Sequence, residues 1–387
     1  NAVRVLLAFD KFKDAIDAPS ACDVAALALR SARPRWSVDA CPLTDGGDGF
    51  CEILTRAAGG RFVSASVTGP RGEPLCASVG LVRRGSLSPL ALAQLDMPGG
   101  RADDLLAVVE SATASGLARL RPENRDPWQT TTRGTGQLLQ AATAAGVAGI
   151  VLGIGGSATN DVGAGALSAL GLRFLDSQGR ALDSVVPAQW PAIGSIGGEI
   201  SPALPPIRIA CDVRNPLLGP SGCTATFGPQ KGLALADVCA METATAGLAK
   251  LLAKHGGLDD STAARPGAGA AGGLAFGLMT VAGARLLPGF DLVAAWLNLD
   301  ARIAAADLVL TGEGRWDGSS RNGKAAGEMV RRARAAGREV HVFVGSADSA
   351  PPAGAHLHTL AAPGMDLPTA VRTTSESLRA TIMRQFR

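Results

Sequence analysis

The chain has 387 residues, 47% hydrophobic and 18% charged, enough for more than one core, so two domains are the default expectation. Its 37 basic and 34 acidic residues leave a net charge of +3 and form no long run of either sign, which excludes the electrostatic footprint of a nucleic-acid binder and leaves small anions as candidate ligands. Seven cysteines, an odd number with no C-x-x-C pair, argue against a disulfide framework or a zinc site built on them and fit a reducing cytoplasm; with no apolar run of membrane-spanning length and no leader pattern, the chain reads as soluble and cytoplasmic.

In chain order, Val3-Arg-Val-Leu-Leu-Ala-Phe9 reads as a strand, and Asp17-Ala-Pro-Ser followed by Val24, Leu27, Ala28 and Ser31 predicts a capped helix. Phe62–Val67 and Leu75–Val82 alternate around the Gly/Pro-rich stretch 68–74, predicting a pair of strands joined by a turn. Further strands are expected at Ile150–Leu152 and Ile207–Ala210, separated by Ala/Leu-rich helices. Near the end, Asp307–Thr311, a helix over Ala325–Ala336 and Val340–Val344 repeat the strand–helix–strand alternation of a parallel sheet. Both chain ends therefore predict one α/β domain, residues 1–65 plus 285–387, with a second mixed α/β domain, 66–284, inserted between them.

Two phosphate-loop frames occur and both lack context. Gly318-Ser-Ser-Arg-Asn-Gly-Lys324 has Ala325 where a Mg2+-binding hydroxyl belongs, and Gly267-Ala-Gly-Ala-Ala-Gly272 follows a polar stretch and not a strand. More telling are the glycine-rich turns Asp45-Gly-Gly-Asp48, Thr132-Arg-Gly-Thr-Gly136, Gly155-Gly-Ser-Ala-Thr-Asn-Asp161 and Thr311-Gly-Glu-Gly-Arg315, several of them at the ends of expected strands, where α/β sheets place ligands. Asp45, Asp48, Asp161, Asp212 and Glu313 would project from those ends, suited to holding Mg2+ or taking a proton from a hydroxyl, although Asp17 and Asp161 read equally well as helix caps. Lys13, Arg133, Lys231 and Lys324 could neutralise phosphates.

All four histidines stand apart from these turns, which disfavours Ser-His-Asp chemistry, as does the absence of a G-x-S-x-G elbow around Ser157. His356 and His358 share a strand face, the spacing of a metal pair with no third ligand in sequence, so a surface or core position is the expectation. Cys211 reads as a buried strand residue. With no Tyr, ten Phe and five Trp, no ring stands out as a platform for adenine.

Nine blocks in order resemble the bacterial type I glycerate kinases. They are Phe9-Asp-Lys-Phe-Lys13, Pro42–Gly49, Ser111–Leu117, Thr131–Gln137, Gly155–Asp161, Ala210–Leu217, Phe227–Gly232, Gly267–Gly273 and Thr311–Arg315. The resemblance implies a flavodoxin/Rossmann-like parallel-sheet domain made from both chain ends, an inserted second α/β domain, a cleft between them, and Mg2+-dependent transfer of the ATP γ-phosphoryl group to D-glycerate. The 2-hydroxyl is the expected acceptor, with the 3-hydroxyl as the alternative; a dinucleotide-dependent oxidoreductase and a non-catalytic sugar-acid or phosphate sensor are the readings from other classes. Monomer and homodimer are both open.

On this reading Lys13, Asp45 and Asp212 are catalytic. Asp45 or Asp212 deprotonates the glycerate hydroxyl while the other holds metal, with Asp161 as a second metal ligand or a cap. Asp10, Gly46, Gly47, Asp48, Arg133, Gly134 and Thr135 would bind glycerate, with Arg133 or Lys13 on its carboxylate. Gly155, Gly156, Ser157, Thr159, Asn160, Lys231, Gly267, Gly269 and Glu313 would bind ATP or its phosphates. Against the family pattern, Lys11 and Asp14 stand where Ser and Gly are common, Asp48 replaces a Glu, Phe50 a small polar residue and Val162 a Gly.

Overall fold

A computed structural model describes residues 3–97, 99–318, 320, 325–350 and 354–387. Its strands are β1 (Arg4–Phe9), β2 (Ser37–Ala40), β3 (Arg61–Thr68), β4 (Pro74–Arg83), β5 (Leu105–Glu110), β6 (Gly149–Gly153), β7 (Arg173–Leu175), β8 (Ser195–Gly197), β9 (Ile207–Ala210), β10 (Arg285–Leu287), β11 (Leu308–Trp316), β12 (Glu339–Ala347) and β13 (Ala355–Thr359). The chain divides into two compact units, residues 1–45 with 293–387, and residues 46–292.

The first unit is a five-stranded sheet in the order β13-β12-β11-β1-β2, parallel throughout. Numbered within the unit this is the 2-1-3-4-5 order of flavodoxin-like sheets. From β1 the chain crosses to β2 on one side, and on re-entering the unit it fills β11, β12 and β13 on the other, so the topology switches between β1 and β11. Apolar runs explain the sheet: residues 5–9 of β1 and 308–312 of β11 are buried, as the continuous hydrophobic strands of a sheet covered on both faces must be. The helix Ala18–Ala32 begins where the sequence predicts, Asp17 accepting the Ser20 amide at 2.7 Å with Pro19 in the first turn. It buries Ala21, Cys22, Ala25 and Leu29 against β1 and the helix Thr374–Gln385. The helix predicted near 325–336 spans Ala325–Ala335.

The second unit holds a six-stranded sheet in the order β10-β9-β6-β5-β4-β3, in which β5, β6, β9 and β10 are parallel and β3–β4 is the expected antiparallel pair. Its core is built from Val109, Ile150, Leu152, Ile207 and Ile209 on the strands with Leu138 and Leu139 of the helix Arg133–Ala144.

Sequence reading put the domain borders at 65/66 and 284/285; the compact units divide at 45/46 and 292/293. Strand pairing explains the shift. All of β3 is laddered to β4, β10 is paired with β9, and the helix Phe50–Ala57 is tied to β5 by the Cys51 amide, which donates to Glu110 Oε2 at 3.1 Å. The polar and short-apolar texture of residues 46–60 carried no periodic signal for these attachments.

Between β1 and the first helix, Phe12 and Ile16 bridge across a tight turn in which Asp14 takes φ +61°. This is a left-handed conformation that an L side chain pays for and glycine does not. Asp14 is exposed, so little packing opposes its removal. Asp14→Gly is expected to raise the free energy of unfolding by about 1 kcal/mol, read as a higher urea midpoint at unchanged slope.

Candidate active site

In the first unit, the strand ends flanking the topological switch carry acids. Asp10 follows β1, Asp45 follows the turn after β2, and Glu313 lies in β11 just beyond the β1 pairing. Asp10 and Glu313 are buried, 8% and 6% exposed. Asp10 accepts the Lys11 amide at 2.7 Å, and its pKa is nonetheless pushed up to about 8, first by burial and then by the charge of Asp45, with Glu313 adding to the push and the Lys11 ammonium opposing it. The Thr311 hydroxyl donates to the Ala8 carbonyl, locking β11 to β1 at this point. Gly314 lets the next loop lie close: a Cβ there would meet the Lys13 amide nitrogen at 3.1 Å, which places the Lys13 backbone against the end of β11 with its side chain exposed. Asp10, Lys13, Asp45 and Glu313 are therefore brought to one end of one sheet.

In the second unit the glycine turns gather at the carboxyl ends of β6 and β9. The Gly155 amide donates to the Gly46 carbonyl at 2.9 Å, and a Cβ on Gly155 would strike the Gly47 Cα at 2.6 Å, so the two double-glycine segments pack backbone on backbone. A Cβ on Gly46 would meet the Ala210 carbonyl at 3.0 Å. Gly156 is exposed at φ +72°, and its own hypothetical Cβ would approach Asp48 Oδ1. Ser157 bridges Gly116, with the Leu117 amide donating to Gly156 and the Ala158 amide to Ser115. Among the described residues, the Gly156 and Ser157 amides have no protein acceptor. A short anion-facing stretch is the chemistry this offers.

Other predicted residues serve the scaffold. Asp161 is wholly buried and accepts four hydrogen bonds: from the Thr132 amide (2.7 Å) and hydroxyl (2.8 Å), and from the Gly163 (3.2 Å) and Gly165 (3.1 Å) amides. Burial raises its pKa against these bonds. Of its two expected roles, the cap is the one this geometry supports, joining the starts of the helices Ala164–Ala169 and Arg133–Ala144. Lys231 is 2% exposed and donates to the Thr159 carbonyl at 2.6 Å, its pKa pulled down to about 8 by burial. It props the glycine-rich segment from inside. Asn160 is buried beside Thr224, to whose hydroxyl it donates at 3.2 Å.

Asp212 is exposed and receives the Gly289 and Phe290 amides, each at 2.8 Å, at the start of the helix Gly289–Trp296. Gly134 sits where a Cβ would fall 1.9 Å from the Thr68 carbonyl, and the Thr135 hydroxyl is shared with Ser115 at 2.9 Å, both buried. The exposed Arg133 guanidinium reaches Ser168 at 3.4 Å. Gly267 (φ +87°) and Gly269 are buried against the 213–217 loop, where a Cβ on Gly269 would lie 2.2 Å from the Pro216 carbonyl. Lys324 of the discounted phosphate-loop frame lies outside the described residues. Glu110, a buried carboxylate at the carboxyl end of β5, was not among the residues singled out in sequence; its place after an apolar strand was the available signal.

Comparison with known proteins identifies the family. The Glycerate kinase family profile matches residues 5–387. The chain belongs to the glycerate kinase family. It is 37% identical to a glycerate kinase of Bacillus subtilis (strain 168) over 83% of this chain and 79% of that one, and 36% identical to the glycerate 2-kinase of Escherichia coli (strain K12) over 83% and 80%. A crystal structure from Salmonella typhimurium LT2, assigned as a glycerate kinase 2, superposes with a TM-score of 0.76 at 34% identity, covering 100% of this chain and 98% of that one. Family membership makes the chain a kinase-family enzyme and sets aside the oxidoreductase and sensor readings. Among the described residues no helix is long and apolar enough to cross a membrane.

Two predictions follow the charges. Because the Asp10 pKa is raised from 3.8 to about 8, the folded state binds more protons than the unfolded chain between those values. Stability is therefore highest below the lower value and falls as pH rises through about 8. Asp10→Asn is expected to flatten that slope and to stabilise the fold at pH 9, measured by urea denaturation at a series of pH values in EDTA. Separately, Asp161→Ala strands four buried donors and is expected to cost about 3 kcal/mol or more, whereas Asp212→Ala, losing an exposed cap, costs about 1 kcal/mol; the same denaturation curves compare them.

Proposed function

We propose that this chain transfers the γ-phosphoryl group of ATP to the 2-hydroxyl of D-glycerate. The carrying observation is the set of carboxylates, Asp10, Asp45 and Glu313, at the switch point of a parallel sheet in a chain of this family. The name of the Escherichia coli relative, a glycerate 2-kinase, supports the position of transfer.

The donor set fits Mg2+. Two buried carboxylates whose charges oppose each other, with no sulfur or imidazole described beside them, are hard oxygen ligands that a small divalent cation would relieve. Asp10 and Glu313 would hold it, and it would offset negative charge on the transferring phosphates. Asp45 is the group proposed to accept the hydroxyl proton as that oxygen bonds to the γ-phosphorus and the bond to the bridging β–γ oxygen breaks, releasing ADP. Lys13 supplies positive charge to the transferring group; within the second unit, the Gly156 and Ser157 amides are donors suited to an anion. Asp161 and Asp212 are left to their capping roles, Lys231 to its prop.

In a coupled ADP-release assay the expected result is turnover with D-glycerate, with phosphorus NMR showing 2-phosphoglycerate. Asp45→Asn should lower turnover at least ~10²-fold with little change in thermal midpoint. ADP release indifferent to glycerate would overturn the substrate, and a 3-phosphoglycerate product would overturn the position.

A further inference from the structure

Three of the four histidines of the chain converge on the outer edge of the first unit's sheet, far from the acids at its other end. β12 and β13 run parallel with His341 opposite His356 and Phe343 opposite His358. Side chains two residues apart on a strand share a face, so Glu339 joins His341, and the next strand adds two imidazoles to the same face. The His341 ring lies 4.7 Å from that of His356 and 5.0 Å from that of His358.

The ligand atoms are already near coordination spacing. His341 Nε2 is 3.1 Å from Glu339 Oε1, His356 Nε2 is 3.9 Å from the same oxygen, and one atom from each of the three residues lies within 4.8 Å of the others. In a tetrahedral zinc site with bonds of about 2.0 Å the ligand atoms stand about 3.3 Å apart. The His341 side chain is 2% exposed and fixed, while Glu339 and His356 are 61% and 59% exposed and can close from solvent. His341 Nδ1 is within 2.8 Å of His358 Nε2, the kind of outer hydrogen bond that fixes which nitrogen of a ligating imidazole faces the metal.

We propose that Glu339, His341 and His356 bind one Zn2+ per chain, with water in the fourth position and His358 orienting His341. The ion takes the Nε2 lone pair of neutral His341, whose single ring proton then sits on Nδ1 and is donated to His358 Nε2, so no proton is released. Glu339 opens β12 and pairs with Leu308, the first residue of β11, whereas Glu313 pairs with Val344. Glu339 is thus five residues of strand, about 16 Å, from the level of Glu313, and His341, opposite Leu310, is three residues, about 10 Å, from it; no ligand is shared with the carboxylates, so the site is no part of the phosphoryl-transfer chemistry and stands or falls independently of it. Its role is to clip the edge strand β13 to the sheet.

The test is calorimetric titration of the EDTA-stripped full chain with ZnCl2, paired with Co2+ substitution. The expected outcome is one site of micromolar affinity or better and a Tm higher by about 3 °C or more at saturation. His356→Gln and Glu339→Gln, both at exposed positions, should each weaken binding at least ~10-fold while keeping the wild-type Tm in EDTA. The Co2+ form should show visible ligand-field bands without a thiolate charge-transfer band. Equal binding by wild type and the double variant, a thiolate band pointing to the exposed Cys76 or Cys239, or no binding at all would each overturn the proposal.

Discussion

Placing acids at the carboxyl ends of neighbouring parallel strands is the constraint around which the first unit is organised. A buried carboxylate is costly to ionise, and a second one beside it raises the cost. Asp10 meets both conditions, with its backbone hydrogen bond from Lys11 too weak to restore an ordinary pKa. Such an arrangement persists because the surrounding sheet holds it: the Thr311–Ala8 bond, the full β1–β11 ladder and the close approach at Gly314 fix the strand ends that carry the acids. Stability is given up where these carboxylates meet.

The second unit solves a different problem, which is to bring many backbone segments within contact distance. Gly46, Gly155, Gly269 and Gly272 each sit where a Cβ would collide with a neighbouring main-chain atom at 3.0 Å or less. These glycines serve backbone-to-backbone contact inside the unit. Gly156, exposed and left-handed, is different, since a Cβ there would meet the Asp48 side chain and not main chain.

The same distinction decides what the sequence could show. Strands such as 5–9 and 308–312 are legible because burial on both faces demands continuous apolar runs, and the Asp17 cap is legible because its partners are three residues away. Asp161 could be read as cap or ligand until its distant donor, Thr132, was placed. The burial of Lys231 depends on the Thr159 carbonyl, 72 positions away, and local composition carries no trace of it. The compact unit begins earlier than the border read in sequence for a related reason: β3 looks like a beginning in sequence, but the helix before it is anchored by Glu110, which lies beyond β4. For the histidines, the spacing of His356 and His358 was visible while the ligands completing the set lie on β12, and only strand register relates them.

Two departures from the family pattern acquire a physical meaning here. Asp14 and Val162, where the resemblance implies glycine, are both left-handed, at φ +61° and +54°. For Asp14 the conformation is tolerable, since a short polar side chain visits this region more readily than most. For Val162 it is not: a β-branched residue there is strained by about 1–3 kcal/mol, yet its side chain is completely buried in the second unit's core. Burial of a valine returns a comparable amount, about 1.5–3 kcal/mol. Strain and burial nearly cancel, which explains how valine is held in a backbone conformation that conformational preference alone would forbid.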